Sequence, residues 1–115
     1  MHKSWLAALV AALTPALAAA EMAGHAIQTG DGLVKMCNGA DKVKALSMMC
    51  HSYLNGYIDT ALVYGKGGRF CLGVGDKQRL PVVVVTWINA HPDHLGKPAP
   101  DALARLLAEN YPCRK

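Results

Sequence analysis

Four cysteines constrain this chain more than any other feature. Cys37, Cys50, Cys71 and Cys113 lie in a sequence of only 115 residues. What they can do depends on the compartment, because thiols stay reduced in the cytosol and pair in exported proteins. The first twenty residues bear on that question. They carry a basic start with Lys3, an apolar run from Trp5 to Leu13, and the small residues Ala18-Ala19-Ala20 ahead of Glu21, the three parts of a secretory signal. A membrane span is the competing reading, but it needs roughly 20 continuous apolar residues, and Thr14-Pro15 interrupts the run. The expectation is a signal peptide over residues 1–20, cleaved after Ala20, and a periplasmic product. No membrane anchor is expected after cleavage, because no cysteine stands near the cleavage site to carry a lipid.

Cleavage would leave 95 of the 115 residues, enough for one domain with a small core that depends on staples. An even number of cysteines in such a chain reads as two disulfides. Four cysteines allow three pairings, and the sequence alone does not select among them.

Charge narrows the partners. The formal net charge of +4 falls to +3 once Lys3 leaves with the signal. Lys35, Lys42, Lys44, Lys66, Arg69, Lys77 and Arg79 are spread along the chain without a basic block. The aromatics do not alternate with them as a base-stacking surface requires, so nucleic acid is not an expected partner. A weakly basic face still suits an acidic protein or an anionic envelope surface.

The pattern of apolar residues predicts helices. Residues 21–30 hold two glycines and no periodicity and read as a loose leader; the domain proper is expected over 31–115. Asp31 can cap a short helix carrying Leu33, Val34 and Cys37, ended by Asn38-Gly39. Leu46, Met49, Cys50, Tyr53, Leu54, Tyr57, Ile58, Ala61 and Leu62 then recur at three- and four-residue steps, predicting an amphipathic helix of about four turns. Gly56 inside it costs ~1 kcal/mol against alanine, and close approach of a neighbouring helix backbone is the simplest reason to keep it. Gly65, Gly67 and Gly68 break the helix and match no phosphate-binding motif.

The run Val82-Val83-Val84-Val85-Thr86-Trp87-Ile88 favours a strand on propensity. No second strand candidate exists in the mature chain, however, and a lone strand has no ladder partner. Leu80, Val83, Val84, Trp87 and Ile88 also fit a helical stripe, so the segment reads as helix. Pro81 places its start near Leu80, where proline sits comfortably in the first turn, and Ala90-His91-Pro92 ends it. Pro98 and Pro100 open a last helix with Leu103, Leu106 and Leu107 on its apolar face, closed by Tyr111-Pro112-Cys113. The expected fold is all-α, a small compact domain of about four helices stapled by two disulfides.

No catalytic set emerges. His91-Pro92-Asp93-His94 offers two imidazoles and a carboxylate to a metal, but the proline turn makes the spacing irregular and disulfide formation leaves no cysteine ligand. Ser47-Met48-Met49-Cys50-His51 resembles a C-x-x-C-H haem attachment sequence with serine in place of the first cysteine. Cys50 and His51 are adjacent on a helix and point about 100° apart, which opposes a local thiol–imidazole dyad. Neither Gly-x-Ser-x-Gly nor His-Glu-x-x-His occurs. No cofactor and no metal is expected, and the chain reads as a binding protein and not an enzyme.

Taken in order, several elements resemble the Rap/Tai-type immunity proteins, small exported bacterial proteins that protect cells from type VI secretion amidase effectors. They are Leu33 and Cys37 in a first helix, Cys50 followed by Tyr53-Leu54-Asn55-Gly56-Tyr57, Phe70-Cys71, His91-Pro92 after the central helix, and Tyr111-Pro112-Cys113. One departure is Leu72-Gly73-Val74-Gly75, where the family tends to have proline; it loosens the approach to the central helix. The resemblance implies pairing of Cys37 with Cys50 and of Cys71 with Cys113. The first pairing requires the long helix to begin near Lys44 to Ser47.

The resemblance also implies a function, an envelope inhibitor that occludes a secreted amidase effector. The candidate contact residues are Lys66 and Arg69 in the glycine-rich loop and His91, Asp93 and His94 in the turn after the central helix, because loops on a rigid scaffold can insert into a cleft. A homodimer is also in keeping with the resemblance, and exposed Tyr or Val side chains could support one. The alternative from another class is a small periplasmic stress chaperone or general envelope protein without a cognate effector, exposing apolar surface on acidification through its histidines.

Overall fold

The computed structural model describes residues 27–65 and 69–114. The signal expected over 1–20, the first part of the leader, and Lys66 lie outside the described residues. Four α-helices follow in order: α1 (Gly30–Asn38), α2 (Lys44–Tyr64), α3 (Asp76–Ala90) and α4 (Ala99–Asn110), with a short 3-10 turn at Pro92–His94 between the last two. Among the described residues there is no strand, only an isolated bridge between Thr29 and Pro98. No described helix is long and apolar enough to cross a membrane. The valine run is helical, as its stripe and its lack of a partner strand predict.

The core forms where α1 lies against α3, with α2 on one side and α4 on the other. Leu33 of α1, Leu54 and Ile58 of α2, Leu80, Val84 and Ile88 of α3, and Leu103, Leu106 and Leu107 of α4 are all fully or nearly fully buried in it. These are the three- and four-residue repeats of the sequence turned inward. Both disulfides sit at its margins, joining Cys37 to Cys50 and Cys71 to Cys113. The first ties the last turn of α1 to the second turn of α2, as an α2 starting at Lys44 allows. The second ties the segment ahead of α3 to the segment after α4, where the Cys71 amide also donates to the Tyr111 carbonyl at 2.8 Å.

The expected boundaries shift in three places, each for a local reason. The cap of α1 is Thr29 and not Asp31: the Thr29 hydroxyl accepts from the Gly32 amide at 3.3 Å, while Asp31 lies in the first turn and pairs with Lys35 at 2.9 Å. The earlier start follows from how Gln28 to Asp31 are held. The Gly30 amide donates to Lys97, the Asp31 amide to Leu95, and the Ala99 amide to Gln28, each at 3.0 Å. Ile27 packs against the core, so the end of the expected leader belongs to the folded body.

The second shift is in α3, which begins at Asp76 and carries Pro81 inside it, against the expectation of a start near Leu80. Gly75 makes this start available by adopting the left-handed region at φ 84°, which glycine enters without steric cost. Asp76 anchors it from the first turn by accepting the Gly73 amide at 2.6 Å. Proline at the sixth helical position removes one hydrogen bond, to a carbonyl on the exposed Lys77, and its ring is buried in compensation. Leu72-Gly73-Val74-Gly75 is thus an ordered turn into α3.

The third correction concerns α2. It runs for 21 residues, longer than the four turns expected, and only Cys50, Leu54 and Ile58 are buried along it. Met49 and Leu62, both counted in the apolar stripe, are 41% and 51% exposed. The helix is apolar on most of its circumference, so periodicity overstates its buried face. Gly56 stands on the solvent side, where an added Cβ would meet nothing within 4 Å; no neighbouring helix accounts for it. Gly30 is under a tight packing constraint, because a Cβ there would overlap the His94 carbonyl oxygen.

These features make two predictions. Loop closure by the two disulfides, over sequence separations of 13 and 42, is worth about 3 and about 4 kcal/mol in the chain-entropy view, against a total of roughly 5–15 kcal/mol for a domain. Adding reductant should therefore cause a sharp loss of helical circular dichroism; an unchanged melt would contradict the role given to the staples. Among the glycines, Gly56→Ala should raise the urea midpoint by the equivalent of ~0.5–1 kcal/mol. Gly30→Ala should lower it by ~1–3 kcal/mol. Equal effects at the two positions would refute the packing described.

Candidate partner-binding surface

The turn after α3 is built from its own backbone outward. Pro92 ends the helix, and the His94, Leu95 and Lys97 amides return to the His91, Pro92 and His94 carbonyls at 2.9, 3.1 and 3.3 Å. This compact loop then holds the start of α1 through Lys97 and Leu95. Within it Asp93 is exposed and accepts from Lys97 Nζ at 3.3 Å. That hydrogen bond, and with it the positive charge of Lys97, holds the Asp93 carboxyl below its ordinary pKa. His94 faces the other way. It is 2% exposed, and neither ring nitrogen has a hydrogen-bond partner among the described residues; the Asp93 carboxylate, at 3.8 Å from Nε2, is too far for one. His94 therefore shapes the turn from inside, and its side chain is not presented to solvent.

His91 lies on the surface side of the same turn. Its ring stacks on Trp87 with centroids 3.8 Å apart and a 12° tilt, and Nδ1 is 2.8 Å from the Trp87 carbonyl oxygen. The indole is in turn enclosed. His94 meets it edge-on at 5.1 Å, Nε1 donates to Glu109 Oε2 at 2.7 Å, and the Arg105 guanidinium stands 5.9 Å from the ring centre. Glu109 uses its other oxygen on Arg105 at 3.5 Å. One carboxylate thus orients both the indole and the guanidinium, and stacking with a cation over the ring adds to burial in fixing them.

Arg105 also faces a second feature. A groove of about 360 Å³ opens between the end of α2 and α4, lined by Tyr57, Ala61, Gly65, Arg69, Phe70, Ala104, Arg105 and Ala108. Phe70 is buried at its floor, and burial raises the pKa of the half-buried Tyr57 hydroxyl, with the Asp101 carboxylate contributing. Arg69 is exposed at the rim. The two loops singled out in the sequence are therefore linked through α4: Arg69 and Arg105 line one groove, and Arg105 stands over the indole on which His91 stacks.

Trp87, Arg105, Glu109, Tyr57 and Phe70 carry this surface and were not recognisable in the sequence as its members. Trp87 and Glu109 are 22 residues apart and meet only because α3 and α4 pack. Among the described residues no group of three or more His, Cys, Asp or Glu side chains is placed to hold a metal ion. A second cleft, of about 260 Å³, lies between α1, α2 and α3 and includes His51, Asp41, Gln78 and Thr86 around Pro81, Val82 and Val85.

What remains is a helical scaffold with two cross-links, a tightly ordered turn and an open, cation-rimmed groove, an arrangement suited to holding a surface in one shape. No curated protein and no solved structure matches the chain. The family model described as Rap1a immunity proteins matches residues 29–113, from the Thr29 cap of α1 to the cysteine that closes the second disulfide. The chain belongs to the Rap1a immunity protein family.

Proposed function

We propose that this protein is exported to the periplasm, its signal cleaved after Ala20, where it neutralises a secreted peptidoglycan amidase effector of type VI secretion by occluding its active site. The observation that carries this reading is the family match over residues 29–113, which spans both disulfides and every described helix. The physical build supports it. A surface already fixed by two cross-links loses little conformational freedom on association, so more of the contact energy appears as affinity. The pairing of all four cysteines fits an oxidising compartment and leaves no thiolate for nucleophilic chemistry. Arg69, His91 and Asp93 are the candidate contacts on the exposed surface, with Lys66 in the connector beside Arg69. His94 acts by holding the shape of the turn.

Co-expression tests the reading. Cells directed to make a periplasmic amidase effector encoded beside this gene should survive when the full chain, with its signal, is produced. They should lyse when the chain is produced without residues 1–20. Lysis in both cases removes the immunity role, and survival in both removes the requirement for export.

A further inference from the structure

The groove between α2 and α4 has a composition that the immunity role does not by itself explain. Its floor and walls are apolar: Tyr57 and Ala61 from α2, Phe70 from the segment leading to Cys71, and Ala104 and Ala108 from α4. Ala104 and Ala108 are one turn apart and exposed, so beside Arg105 the only side-chain groups α4 presents to the groove are methyls. The volume of about 360 Å³ is near the lower end for binding pockets, and the groove is partly open to solvent. It suits one large side chain with its flanking backbone.

Charge decides the kind of occupant. Among the described residues the ionisable groups lining the groove, besides the Tyr57 phenol, are two guanidiniums, Arg69 and Arg105. Glu109 is turned away to bind the Trp87 indole and Arg105 together, which fixes Arg105 at the rim and offsets part of its charge. Asp101 lies near the Tyr57 end. At the opposite end Arg69 stands exposed at the rim, and no acid is among the described residues lining the groove, so the positive potential is concentrated at that end. The backbone of that end is anchored by the Cys71–Cys113 bond and by the Cys71 amide on Tyr111, so the floor is in place before anything binds. Tyrosine and arginine side chains around a desolvated pocket are enriched among the residues that carry binding energy at protein interfaces.

We propose that this groove receives from the effector a short segment in which an aromatic or branched aliphatic side chain stands next to an aspartate or glutamate. The apolar side chain packs on Phe70 and Tyr57, and the carboxylate meets Arg69 at the rim. The proposal rests on the immunity reading and assigns that role a surface: the immunity protein takes in a piece of its target at this groove, in addition to any contact its turns make.

The test uses the purified mature chain and the effector it neutralises in co-expression, with affinity read by titration calorimetry. Ala108→Trp fills the groove from an exposed helix position, with Ala104→Leu as the milder version if the tryptophan alters the melt. Arg69→Glu reverses the rim charge, and Lys77→Trp on α3 serves as a control away from the groove. Filling the groove should weaken binding at least tenfold. Arg69→Glu should weaken it about tenfold at low salt and less at high salt, since exposed charges are screened, and Lys77→Trp should bind as the wild type. Wild-type affinity in both Ala108→Trp and Arg69→Glu overturns the groove while leaving the immunity reading intact. Loss in Ala108→Trp alone keeps the apolar anchor and removes the carboxylate, whereas loss in Arg69→Glu alone removes the anchor. A wild-type chain that binds and neutralises no effector overturns the immunity reading, and the groove proposal with it.

Discussion

The bond between Cys71 and Cys113 joins the residue leading into α3 to the end of the chain beyond α4, and much of the molecule is arranged around it. It fixes Phe70 under the groove, holds the Cys71 amide on the Tyr111 carbonyl, and keeps α4 against the core through its Leu103, Leu106 and Leu107 face. The Cys37–Cys50 bond does the same at the other end, locking α1 to the early turns of α2. Four short elements of this kind bury too little apolar surface to be robust alone. Cross-links that limit the unfolded chain supply a contribution comparable with the net stability of a domain this size.

Much of this was legible in the sequence, for reasons that can be stated. Apolar spacing gave α4 and the inward face of α3, because Leu80, Val84, Ile88 and Leu103, Leu106, Leu107 can face a core only if their segments are helical. The cysteine pairing was implied by family resemblance, and the structure has it. Other features were hidden by causes that spacing does not carry. The start of α3 depends on the left-handed Gly75 and on Asp76 reaching back to Gly73, a local geometry that outweighs the single hydrogen bond lost at Pro81. Burial along α2 depends on how many neighbours reach it, so Met49 and Leu62 follow the helical repeat yet face solvent.

Gly56 and Gly30 show the same limit from two sides. Both are glycines at helical positions, and only three-dimensional packing distinguishes them: Gly30 lies against the His94 carbonyl, and Gly56 lies against nothing. The proposed binding surface was legible only in outline. Arg69 and His91 were recognisable as loop residues on a rigid scaffold, but the group that connects them is long-range, with Glu109 orienting Trp87 across 22 residues and Arg105 facing both the indole and the groove. His94 could not be separated in sequence from the exposed Asp93 beside it, because it is buried by long-range packing, with Trp87 of α3 edge-on to its ring and α4 against the turn. Function followed the same gradient. The family is established by a match across the domain, whereas the surface that meets a target follows from how that domain is packed.

The central claim is that export, oxidation and this fold belong together: the chain becomes a binding surface by being cross-linked in this pairing. Peptide mapping by mass spectrometry under non-reducing conditions, on protein purified from the periplasm, tests it most directly. The account predicts an N-terminus at Glu21, no free thiol, and linked fragments containing Cys37 with Cys50 and Cys71 with Cys113. Free cysteines in the folded protein, or either of the other two pairings, would contradict it.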